Sequence, residues 1–132
     1  MPGARKWFRH AAVAYPQVME SLDLRGYDLV VSVSHAIAKG VRKHAGQVHV
    51  CYCNSPARFA WGMVDVYRDR AAAGSRLLSR GADLMLERIR RWDLHASRNV
   101  DRFVANSQNI ANAIERIYGR PSAIVYPPVD IH

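Results

Sequence analysis

The sequence has only two cysteines, Cys51 and Cys53, and they stand two apart. In a strand, that spacing turns both side chains to one face. Two thiols are too few for a structural zinc site or a disulfide framework. They read as a buried pair in a reducing compartment, so the chain is expected to be cytoplasmic. No apolar run approaches the ~20 residues of a membrane-spanning helix. The start, Met1-Pro2-Gly3-Ala4-Arg5-Lys6-Trp7, has basic residues without a following apolar stretch, so a signal peptide is not expected. Acidic residues are scarce, 11 Asp and Glu against 19 Lys and Arg, which gives a formal charge of +8. Such a chain is drawn to polyanions: nucleic acid, phosphorylated ligands or an anionic membrane surface. A solvated basic face without a dedicated partner is the plainer alternative. His10, His44, His49 and His95 are scattered without metal-ligand spacing, and neither a P-loop nor a Ser-His-Asp arrangement is present.

What is present fits one α/β domain of 132 residues, 49% hydrophobic and 23% charged. From Arg5 to about Leu24 two short helical pieces are expected, interrupted by Pro16. Asp28 to Ser34 is nearly continuous in apolar residues, the pattern of a strand buried on both faces of a parallel sheet. His35 to Lys43 is a short helix candidate capped by Ser34, with Ala36, Ile37 and Val41 inward and Gly40 weakening it. Val48 to Cys53 is the second strand, which completes a right-handed βαβ unit. Phe59 to Arg70 reads as a lid-like segment, and Ala71 to Gly74 as a joint.

Ser75 to about Asn99 is the longest periodic element. Leu78, Ala82, Met85, Ile89, Trp92 and Ala96 form its apolar stripe, with Arg80, Asp83, Glu87, Arg90 and Arg91 opposite. It is expected to be a crossover helix covering the sheet, although an Arg-rich face also suits an anionic membrane. Asp101 to Ala105 is the third strand, closed by Asn106-Ser107; Ser107 is the N-cap of a helix carrying Ile110, Ile114 and Ile117, which Gly119 ends. Ser122 to Tyr126 is a fourth strand, followed by Pro127-Pro128. Strands alternating with helices give the class: α/β, a partial Rossmann-like domain with a parallel sheet flanked by helices.

In an open parallel sheet, ligands bind at the carboxyl ends of the strands. Six polar residues fall at those ends here: Ser34 and His35 after the first strand, Asn54 and Ser55 after the second, Asn106 and Ser107 after the third. Arg58 follows closely, with a guanidinium fork suited to a phosphate or an acceptor anion. Most have a plainer role open to them: Asn54 as a turn residue, Arg58 in a surface ion pair, His35 as a structural helix start, Asn106 and Ser107 as caps.

Several of these stretches resemble the group-1 (family 4) glycosyltransferases of GT-B fold. They are Tyr27 to Val41, Cys51-Tyr52-Cys53-Asn54-Ser55-Pro56-Ala57-Arg58-Phe59-Ala60-Trp61, Trp92-Asp93, Val100 to Ser107, and Tyr118 through Asp130, in the family's order. The resemblance implies a two-domain enzyme with its active site between Rossmann-like halves. Such an enzyme moves a sugar from a nucleotide-diphosphate donor to a glycan or lipid-linked acceptor, with retention and without a metal or other cofactor. It also implies that residues 1–126 are the latter part of the N-terminal, acceptor-side domain and that 127–132 begin a hinge to a C-terminal donor domain. The chain is then expected to be inactive alone and to lack the early glycine-rich loop. Asn54 stands where the family usually has a histidine, and an amide cannot take a proton near neutral pH. The parent enzyme would work on the cytoplasmic side, in peripheral contact with an anionic membrane. The main rival is a non-catalytic α/β module that binds an anionic sugar or a protein partner. A specific nucleic-acid binder is disfavoured, because the aromatic-basic interleaving and known modules of that class are missing.

Overall fold

The computed structural model describes residues 15–62 and 76–128. The first expected helical piece, most of the lid-like stretch, the Ala71 to Gly74 joint and the residues beyond Pro128 lie outside these. In chain order the elements are α1 (Tyr15–Glu20), β1 (Leu29–Ser34), a 3-10 turn (Ala38–Gly40), β2 (Val48–Cys53), α2 (Arg58–Trp61), α3 (Arg76–Ser97), β3 (Arg102–Ala105), α4 (Gln108–Tyr118) and β4 (Ser122–Ile124). Pro16 lies in the first turn of α1, where its missing N–H costs nothing.

The four strands form one parallel sheet in the order β1-β2-β3-β4. Each crossover therefore steps the same way, and right-handed connections stepping one way share one face of the sheet. Burial follows this. Val30, Ser32, Ser34, His49, Cys51, Cys53, Phe103 and Ala105 point to the covered face and are buried. Leu29, Val31 and Val33 point the other way and are 55%, 61% and 63% exposed. The expectation that β1 is buried on both faces is thus corrected. Its apolar run has the composition for two covered faces, but the one-way strand order puts every described connection on one side.

The expected helix from His35 to Lys43 is corrected too. Only a 3-10 turn forms, without a side-chain cap, and the Ser34 hydroxyl is buried with no hydrogen-bond partner among the described residues. The tighter turn presses two consecutive residues against α3: Lys39 pairs with Asp93, and Gly40 lies on the Trp92 indole. A Cβ on Gly40 would overlap Trp92 Cζ2. Along α3, Ile89, Trp92 and Ala96 pack inward, while Leu84 and Met85 are exposed. Arg90, expected on the solvent side, is half-buried; its Nε donates to the Ala60 carbonyl at 2.9 Å and its guanidinium lies 5.5 Å from the Trp61 ring centre.

The helix before the last described strand has the ends expected of it. The Ser107 hydroxyl accepts from the Ile110 N–H, and Gly119 ends α4 at φ 63°, a left-handed conformation that glycine adopts without strain. β4 is shorter than expected, although the Val125 N–H still donates to the Ala105 carbonyl. The core between sheet and helices is Cys51, Cys53, Val100, Phe103, Ala105 and Ile114, with Phe103 stacked on Tyr118 at 5.6 Å. Both thiols are free and buried, as expected, and burial pushes Cys53 up to about 12, which leaves it unreactive.

Candidate functional site at the carboxyl rim of the sheet

The carboxyl ends of three adjacent strands bring six of the seven sequence-picked residues into one hydrogen-bonded rim. The backbone N–H of Asn54 donates to the Ser34 carbonyl at 2.8 Å, and the Ser55 hydroxyl donates to the His35 carbonyl at 3.4 Å. These bonds tie the loop after β1 to the loop after β2. Across the next gap, the Asn106 amide donates to the Asn54 carbonyl at 3.3 Å and approaches Asn54 Oδ1 at 3.5 Å. The Ser107 hydroxyl donates to Asn106 Oδ1 at 3.1 Å while its oxygen accepts from the Ile110 N–H and caps α4.

Accessibility sorts the rim. His35 and Arg58 are exposed, Asn54, Asn106 and Ser107 are half-buried, and Ser34 and Ser55 are buried beneath them. The groups offered to a ligand are thus amides, a hydroxyl, an imidazole and a guanidinium, a set suited to sugar hydroxyls and anionic groups. Arg58 opens α2 and is exposed; no bond joins it to the other six.

Beneath the rim lies a polar cluster the sequence reading missed. Asp93 is fully buried on α3. Lys39 donates to its Oδ1, and the Trp61 indole N–H and the Tyr118 hydroxyl each donate to Oδ2 at 2.8 Å. Lys39, 1% exposed, also donates to the Ala36 carbonyl at 2.8 Å and lies 5.4 Å from the Tyr118 ring centre. Burial, followed by the charge of Asp93, pushes the Tyr118 hydroxyl far up, so it remains a donor. One signal was available. Asp93 interrupts the inward side of the α3 stripe, between Ile89 and Ala96.

A second buried polar group sits at the opposite end of β2. His49 is fully buried, with Nε2 2.8 Å from the Ser32 hydroxyl and Nδ1 3.2 Å from the Asn99 carbonyl. A carbonyl can only accept, so Nδ1 carries the proton and Nε2 accepts from Ser32. Burial lowers the basicity of the ring. The His49 backbone N–H donates to Asp101 at 2.7 Å, and Lys43 pairs with the other oxygen of that carboxylate, holding it below the usual range. Among the described residues no three His, Cys, Asp or Glu side chains group as a metal site, and no helix is long and apolar enough to cross a membrane.

The family model described as Glycosyltransferase Family 4 matches residues 2–132. No curated protein and no solved structure matches the chain.

Proposed function

The chain belongs to glycosyltransferase family 4, and we propose that it supplies the acceptor side of a two-domain enzyme. In this reading a sugar passes from a nucleotide-diphosphate donor, with retention, to a glycan or lipid-linked acceptor. The observation that carries it is the rim itself. Ser34, His35, Asn54, Ser55, Asn106 and Ser107 converge at the carboxyl ends of three neighbouring parallel strands, where open α/β sheets bind ligands. His35, Asn54 and Asn106 would contact the acceptor, Ser34 and Ser55 would hold the loops, and Arg58 would take an anionic group on the acceptor. Residues 127–132 would open the hinge to a donor domain carrying the nucleotide-sugar site, and no metal is required. Without that domain, residues 1–132 would not turn over.

Asn54 shapes the chemistry proposed here. An amide orients a hydroxyl by donating and accepting, but it does not shuttle a proton near neutral pH. The test is transfer and donor hydrolysis by the complete protein, with Asn54→His beside it. Faster transfer in Asn54→His supports the assignment of this position to the reacting sugar. An unchanged rate, with transfer intact in both, removes Asn54 from the site. Absence of transfer from any nucleotide sugar overturns the whole reading.

The reading includes peripheral contact with an anionic, cytoplasm-facing membrane. Arg80, Arg88 and Arg91 are exposed on α3, and at 3.6 residues per turn they share one side with exposed Leu84 and Glu87, while Arg98 is exposed in the turn just past the helix. Binding to anionic vesicles that weakens steeply with salt is the expected result; salt-independent or absent binding counts against it.

A further inference from the structure

The Asp93 carboxylate takes its hydrogen bonds from Lys39, Trp61 and Tyr118, none of them a rim residue, yet through them it is bonded to the loop behind each of the two rim segments that carry His35 and Arg58. Through Lys39 it reaches the Ala36 carbonyl, one residue past His35. Through the Trp61 indole it reaches the last residue of α2, whose first residue is Arg58. Arg90, one turn before Asp93 on the same helix, holds the Ala60 carbonyl and stacks on Trp61. Each loop therefore has two attachments: an upper one to its neighbour, between Ser55 and His35, and a lower one to α3. Tyr118 fills the remaining place on Asp93 from α4, whose far end bears the Ser107 cap.

We propose that Asp93 is a positioning residue for the acceptor side of the site, acting through Lys39 and Trp61 to fix the two rim loops relative to each other. The inference rests on the acceptor-side reading above. A four-residue helix such as α2 has too few internal bonds to hold its own orientation, so its direction is set by what grips its end. The grip here is the indole N–H, a single rigid donor aimed at a carboxylate that Lys39 and Tyr118 also hold. A buried carboxylate with this many donors also has no freedom to swing, so the loops inherit a fixed spacing.

The experiment uses the complete protein and two single variants that each remove one bond from the same carboxylate oxygen, Trp61→Phe and Tyr118→Phe. In Trp61→Phe, amide exchange at Ala60, residue 61 and Gly62 should speed up about tenfold while the Phe103 and Ala105 amides of β3 do not change. The acceptor KM should rise roughly fivefold or more with the donor KM unchanged, as expected when positioning for one substrate is lost. Tyr118→Phe should lower the melting temperature comparably and leave both readouts where they were. The double variant Lys39→Met, Asp93→Leu keeps the fold without the buried charges and should reproduce the Trp61→Phe effects. Equal effects of Trp61→Phe and Tyr118→Phe, or normal acceptor KM in the double variant, would overturn the proposal. If the wild type transfers no sugar, the acceptor-side reading fails. The exchange pattern alone then decides whether Asp93 fixes the loops.

Discussion

His49 on β2 and Ser32 on β1 meet across the strand pair, ring nitrogen to hydroxyl oxygen at 2.8 Å, on the buried side of the sheet. The contact makes the ring an acceptor there, and burial disfavours its charged form. The folded-state value is thus below the ordinary 6.5. Above that pH both folded and unfolded chains hold a neutral ring, and stability is full. Below it the unfolded chain takes up a proton that the folded chain refuses, so stability falls as the pH drops toward the folded value. Melting curves between mild acid and neutrality should show this loss, and His49→Gln should flatten it; an unchanged slope in the variant would refute the assignment.

The Lys39–Asp93 pair gives a second expectation. Asp93→Ala strands an ammonium in the interior and should cost about 3–5 kcal/mol in urea unfolding, as should Lys39→Met for the converse reason. Replacing both at once with Met and Leu should recover most of that loss. A strictly additive double variant would show that the charges do not act as a pair.

Two glycines should respond differently to alanine. Gly40→Ala places a methyl group against the Trp92 ring and should cost about 1–3 kcal/mol from overpacking. Gly119→Ala meets no atom within 4 Å but must hold φ 63°, which costs about 1–2 kcal/mol. Adding Trp92→Leu should relieve the first and leave the second unchanged. Equal behaviour in the two backgrounds would remove the steric explanation.

The side of the sheet left exposed among the described residues leads to an expectation for purified residues 1–132. Leu29, Val31, Val33 and Val48 are exposed there and adjacent by register, with β1 at the sheet edge. Such a patch promotes self-association. Sedimentation should show concentration-dependent oligomers, and Val31→Thr with Val33→Thr should shift the population toward monomer. A monomer at all concentrations would contradict this.

Much of the fold was legible because local chemistry decided it. β2 could be bounded from Val48 to Cys53 because a β-branched and aromatic run stops at Asn54-Ser55-Pro56. The ends of α4 were legible because Ser107 and Gly119 are good at terminating helices for opposite reasons. The strand ends placed the rim residues for the same cause. What was hidden depends on distance along the chain. Lys39 and Asp93 are 54 positions apart, and neither reveals the other. The one-sided burial of β1 is set by the direction in which the strands step, which no residue within β1 encodes. Likewise Arg90 looked solvent-facing by periodicity until Ala60 and Trp61 supplied it with partners.

The strand register also bears on how the chain reaches this shape. Phe103 pairs with Ser122, 19 positions on, whereas Val50 pairs with Arg102, 52 positions on (122 − 103 and 102 − 50). Closing the shorter loop costs less chain entropy, and α4 lies within it with both ends capped. The β3-α4-β4 unit is therefore the natural nucleus, and docking of β2 onto it, with α3 crossing between, is the slow step. Substitutions in Ile114 should slow folding, while those in β1 should chiefly speed unfolding. A ribosome releasing this chain would thus expose β1 and β2, with the rim loops they carry, before the half that organises them exists.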